Sequence, residues 1–133
     1  LRLKKRGAMD GAAPRVIDRG DIYWVTLGAA DGTEAAIPHP YVVVQDDVFN
    51  HSRVHTVVVC AMTSNLRRAG ETPGNVLLEP GEGDLPRQSV VEVSKVTSIE
   101  KAQLGEYIGA LSQTRVEQIL SGMRFLQASW FDR

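Results

Sequence analysis

The chain has 133 residues, 15 basic and 16 acidic side chains, a net charge of −1 and 43% hydrophobic content. That suits one domain burying roughly two thirds of its unfolded surface, and it excludes a global basic field for nucleic acid. The single cysteine excludes an intrachain disulfide and no apolar run approaches the ~18 residues of a membrane helix, which fits a cytoplasmic protein.

Residues 1–9 carry four basic side chains and read as a cloning remnant through Gly7-Ala8 ahead of a native start at Met9; the alternative is a basic arm. Setting those four aside leaves 11 basic against 16 acidic residues, net −5, so any nucleic-acid contact must come from a local patch. One domain is expected over 10–133, with 10–18 as its lead-in. Residues 19–27 alternate as a strand, with Ile22, Trp24 and Thr26 facing one way and Tyr23, Val25 and Leu27 the other. Residues 28–38 are small and glycine-containing, a loop. The valine-rich runs 41–46 and 55–62 are continuous, the pattern of strands buried on both faces, with a turn at 50–53 between them. Cys60 lies within the second run and reads as a packed thiol.

A polar loop at 64–74 leads to two short strands, 75–79 and 89–93, joined by the turn-rich stretch 80–88. Thr97-Ser98-Ile99-Glu100 has capping-box spacing and predicts a short helix ended by Gly105. Val116, Ile119, Leu120, Met123 and Leu126 recur at helical spacing and predict a terminal helix capped by Ser112 or Thr114. Five short strands followed by a helix suggest a small barrel flanked by helices, a mainly β, α+β architecture. His39, His51, His55 and Cys60 lack the paired spacing of a zinc site, and Asp46-Asp47 is a carboxylate pair of the kind that can bind metal. Tyr23 and Trp24 are candidates to stack on bases, although alternation puts one of them in the core.

Several segments together carry a resemblance. They are Arg19-Gly20-Asp21-Ile22-Tyr23-Trp24, Gly32-Thr33-Glu34, Pro40 with the valine run and Gln45-Asp46-Asp47, and Thr63-Ser64-Asn65. Pro73-Gly74-Asn75-Val76-Leu77-Leu78, Ser89-Val90-Val91 and the Lys101…Leu104 segment complete the set. In this order and spacing, over roughly 17–127, the chain resembles the MazF/PemK (Kid) family of toxin–antitoxin endoribonucleases. The resemblance implies an SH3-like β-barrel with a short helix and a C-terminal helix, and a homodimer that cuts single-stranded RNA at short sequences. It implies neither metal nor cofactor, a cognate antitoxin as partner, and no membrane. At Asp46-Asp47 it points to loop anchoring instead of metal. The family's catalytic threonine matches Thr63, its first-loop glutamate matches Glu34, and its basic residue before the fifth strand matches Arg87. One departure matters: the family's catalytic arginine before the second-strand proline is replaced by His39.

Metal-free RNA cleavage uses the substrate's own 2′-hydroxyl, so the enzyme must take one proton, give another to the 5′-oxygen and stabilise the phosphorane. Histidine as a residue type moves protons near neutrality, whereas arginine clamps phosphate. His39 is therefore the acid–base candidate, and Thr63 the hydroxyl donor to a phosphate oxygen. Glu34, Arg53, Ser64, Asn65, Arg67, Arg68 and Arg87 are candidates to hold substrate, and the loops 28–38, 64–74 and 80–88 to receive RNA or an acidic antitoxin segment. Two rivals share the fold: a CcdB-like toxin that poisons a topoisomerase, and a non-cleaving RNA-binding barrel in which His39 marks a lost catalytic residue.

Overall fold

The computed structural model describes residues 15–27 and 37–131. Residues 1–14 and 28–36, and with them Glu34 and the expected N-terminal remnant, lie outside the described residues. Six strands are present: β1 (Asp21–Thr26), β2 (Pro38–Val43), β3 (Thr56–Thr63), β4 (Val76–Leu78), β5 (Ser89–Glu100) and β6 (Leu104–Ala110). Two helices accompany them, α1 (Asp47–Asn50) and α2 (Gln113–Phe131). The strands form one antiparallel sheet in the order β4-β5-β3-β2-β1-β6. Among the described residues no helix is long and apolar enough to cross a membrane.

The expected mainly β architecture is present, and the sheet curls without hydrogen-bonded closure of β4 onto β6. β5 is long enough to bend. A register shift opposite Cys60–Met62 lets its second half pair with the start of β3 and its first half with both β3 and β4. The 82–84 turn fills the remaining gap: Gly81 N donates to Leu85 O at 2.7 Å, and Gly109 of β6 leaves no room for a side chain against Gly83.

Burial follows the alternation read from the sequence. Ile22, Val42, Val44, Cys60 and Met62 enter one apolar cluster with Leu78, Val91, Val116 and Ile119. Tyr23, Val25, Val43, Val57 and Val59 enter a second on the other face. The valine runs are thus buried on both sides, as expected. Of the two adjacent aromatics, Tyr23 is core and Trp24 is 40% exposed.

Two motifs anchor the chain entry. Gly20 has φ +97 and sits against Val116, so only glycine turns there without strain, and its N–H donates to Val43 O. Arg19 N donates to Asp47 Oδ1 at 2.7 Å and Arg19 Nε to Val44 O at 3.0 Å. Asp46 caps α1 by accepting from Val48 N, and Gln45 donates to Thr56 O while accepting from Val58 N. These bonds account for the Arg-Gly-Asp and Gln-Asp-Asp segments as anchors.

Two sequence expectations are corrected. Residues 97–100 belong to β5, where Thr97, Ser98, Ile99 and Glu100 pair with Val59, Val58, Val57 and Thr56. Long-range pairing with a buried strand overrides the local capping signal. The reciprocal cap instead joins Glu100 and Gln103 around a 3-10 turn at Lys101–Gln103, and no helix forms there. The short helix is α1, N-terminal to the expected turn. The terminal helix forms as expected, with Ser112 accepting from Arg115 N and Val116 N, but Leu126 is 42% exposed. The helix instead meets the 73–75 loop through Gly122, packed directly on the Gly74 backbone.

Candidate active site

At one end of the sheet β1 and β3 finish while β2 and β5 begin. Tyr41 pairs with Ala61, and continuing that register by two residues sets His39 toward Thr63 on the neighbouring strand. Both lie on the face shared by Tyr41 and Ala61, because side chains alternate. His39 is exposed and Thr63 half-buried. His39 pairs with Val25 of β1, and Thr63 with Val90 of β5, so a core strand fixes each backbone from its outer side.

Thr63 Oγ1 accepts from Asn65 N at 3.1 Å, and Asn65 Oδ1 accepts from Arg67 N at 3.2 Å. These local bonds turn the chain sharply into the 3-10 segment Leu66–Gly70. Accepting that bond leaves the Thr63 O–H available to donate. Ser64 and Asn65 are exposed on the same turn.

The arginines divide. Arg67 and Arg87 are exposed beside the rim, and neither has an ion-pair partner among the described residues. Arg68 lies 3.6 Å from both Glu71 and the buried Glu92, which also faces Lys95 at 3.4 Å. Its charge is engaged in holding the turn to β5. Asn75 completes that hold, donating to Arg68 O at 2.8 Å and accepting from Val93 N at 3.0 Å. Arg53 is not brought to the rim. It precedes the start of β3, whereas Thr63 ends it, roughly 23 Å away at the rise of a strand.

Tyr41 is a rim residue the sequence reading did not pick. It shares the His39 face two residues along, and burial, with Cys60 and Glu92 nearby, raises its hydroxyl pKa, keeping it a neutral donor. Its signal was the i, i+2 spacing from His39. Cys60 is the packed thiol expected: Sγ donates to Glu92 O at 3.0 Å, and burial pushes it up to about 12.

His39, His51, His55 and Cys60 do not converge. His39 sits at the rim, while His51 and His55 lie beyond the opposite end of β3. Among the described residues one group has metal-ligand proximity, Asp18, Asp47 and His51. Its atoms are already engaged: His51 contacts Asp18 at 2.9 Å, and Asp47 accepts from Arg19 N and Asn50 Nδ2.

The geometry has clear relatives. Residues 18–126 match the family described as PemK-like, MazF-like toxin of type II toxin–antitoxin system. The chain is 37% identical over 109 residues to Endoribonuclease MazF2 of Mycobacterium bovis and to Endoribonuclease MazF6 of Mycobacterium tuberculosis, spanning 82% of this chain and 95% of each relative. Among solved structures, MazE-MazF from Deinococcus radiodurans superposes with a TM-score of 0.70 at 20% identity, covering 86% of this chain and 98% of that one. A mycobacterial endoribonuclease in complex with its cognate antitoxin gives 0.64 at 19% identity, covering 85% and 94%. The M. tuberculosis toxin MazF-mt6 gives 0.63 at 21% identity, covering 79% and 93%. The chain is a member of the PemK-like, MazF-like toxin family of type II toxin–antitoxin systems.

Proposed function

We propose that this toxin is a sequence-specific, metal-independent endoribonuclease that cleaves single-stranded RNA to a 2′,3′-cyclic phosphate and a 5′-hydroxyl. The observation that carries the reading is the polar rim itself. An exposed histidine and a strand-end hydroxyl lie on one face of neighbouring strands, flanked by two arginines without ion-pair partners among the described residues, in a chain 37% identical to named endoribonucleases.

His39 takes the proton of the 2′-hydroxyl as that oxygen attacks phosphorus. The bond to the 5′-oxygen breaks, and the leaving oxygen receives the proton that His39 took, returned directly or through water, so His39 ends as it began. Thr63 donates its hydroxyl to a non-bridging oxygen as charge builds. Arg67 and Arg87, with Ser64 and Asn65, hold the flanking phosphates and bases, and Arg68 supports the turn beneath them. The resemblance offers Glu34 as a further residue to hold substrate. The toxin acts in the cytoplasm as a homodimer with the groove along its interface, and the acidic segment of a cognate antitoxin occupies that groove to exclude RNA.

The test is incubation with a long single-stranded RNA in excess chelator, followed by mapping of the ends. Discrete cuts with cyclic-phosphate ends are expected. Intact RNA together with blocked DNA supercoiling would identify a topoisomerase poison, and RNA bound but uncut would identify a binding barrel.

A further inference from the structure

Beyond the opposite end of β3 a cavity of about 850 Å³ opens between the 50–55 turn and the β5–β6 corner. Its lining includes the apolar side chains of Val16 and Val54, 66% and 40% exposed, and of Leu104. Arg53 and His55 stand on its edge, exposed, without an ion-pair partner among the described residues. Lys101 adds a second positive group. Its ammonium donates to the carbonyls of Phe49, Asn50 and Ser52 at 3.3, 3.0 and 3.2 Å, so it is held by neutral oxygens and its charge is not offset by a carboxylate. Glu106 is the one carboxylate in the lining. Beside the cavity runs the Leu104–Tyr107 part of β6, whose outer edge has no strand partner among the described residues, the 82–84 turn packing only against its Gly109 end.

Two classes of ligand would answer the positive charge. Single-stranded RNA also needs open aromatic faces on which to stack bases. Here Tyr23 is buried, its hydroxyl bonded to Asp21 at 3.1 Å. The ring of Tyr107 is covered by the Arg15 guanidinium, 3.4 Å from its centroid. Aliphatic walls match aliphatic side chains better than a sugar–phosphate chain. An open sheet edge next to such a groove suits an extended peptide, whose main chain bonds to the edge while alternate side chains enter the groove.

We propose that this groove docks an extended segment of a partner polypeptide, with an acidic side chain at Arg53 and His55 and aliphatic ones against Val16, Val54 and Leu104. The site is separate from the cleavage rim, and the inference does not rest on RNA cleavage. The probe is an acetylated nonapeptide alternating leucine and glutamate, compared with the same peptide carrying lysine for glutamate. Fluorescence anisotropy on the full chain measures affinity, and amide hydrogen exchange locates the site. The glutamate peptide is expected to bind at least ~10-fold tighter than the lysine peptide. It should slow exchange at 52–55 and 104–107, and Arg53→Glu with His55→Glu should weaken it at least ~10-fold while leaving the circular dichroism spectrum unchanged. Equal binding of the two peptides, or protection only around 63–68, would overturn the proposal. So would protection of 52–55 and 104–107 that rises with protein concentration without peptide, which would assign the groove to a second copy. Stronger protection by a 2′-O-methyl RNA octamer would assign it to nucleic acid.

Discussion

Asn75→Ala removes two hydrogen bonds that tie the Thr63–Arg68 turn to the bend in β5. Asn75 Oδ1 accepts from Val93 N at 3.0 Å, and Val93 is 1% exposed, so in the variant that N–H is buried without a partner. An orphaned buried donor costs about 1–3 kcal/mol, and the lost bond to Arg68 O adds about 1 kcal/mol. The sum, about 2–4 kcal/mol, lowers the melting temperature by roughly 10 °C for a domain of this size. Asn75→Asp keeps the acceptor for Val93 and loses only the donor to Arg68, so its cost should stay near the lower end. Urea unfolding monitored by tryptophan fluorescence gives both values, read as midpoint shifts at constant slope. Equal losses for the two variants would refute the role given to the Val93 N–H. A loss under about 0.5 kcal/mol for alanine would refute the anchoring altogether.

The other expectations concern the rim and the packing that supports it. His39→Ala should lower single-turnover RNA cleavage on the order of 10²-fold or more with binding largely retained, and Thr63→Val should lower it less. His39→Arg separates proton transfer from charge stabilisation: equal or faster cleavage whose rate no longer varies across neutral pH would assign His39 to charge. Gly122→Ala gains about 1 kcal/mol of helix propensity but drives a methyl into the Gly74 backbone, costing about 1–3 kcal/mol, so calorimetry should show a net loss. Arg115 grips Glu82 through two bonds of 3.0 and 2.8 Å, and that contact holds the Glu82 carboxyl below its ordinary value. A depressed folded-state pKa stabilises above the ordinary carboxylate range and is lost as pH falls through the folded value. Arg115→Met should therefore cost about 1 kcal/mol at neutral pH and progressively less in acid. His51 has the opposite sign: its hydrogen bond to Asp18 raises it, so His51→Ala should destabilise below about pH 6.5 and converge with the parent at higher pH.

Local chemistry was enough to read some of this protein. Period-two alternation placed Tyr23 and Val25 on one face and Ile22 on the other, and the valine runs announced burial on both sides. Helical spacing found α2 as far as Met123, and the ordered motifs pointed to the family before any contact was known. Each of these signals is carried within a few residues of chain, where propensity and periodicity act. Pairing and charge balance act over longer range, and only the tertiary structure decided them. Residues 97–100 became strand because β3 lay waiting, and β6 formed despite two glycines because β1 presented an edge to it. Arg67, Arg68 and Arg53 look alike in sequence. In the fold Arg67 stays at the rim with no ion-pair partner among the described residues, Arg68 is engaged by Glu92, and Arg53 lies at the opposite end of β3. Which residues meet depends on strand register and on which carboxylate is buried nearby, and both are settled only when distant segments pack together.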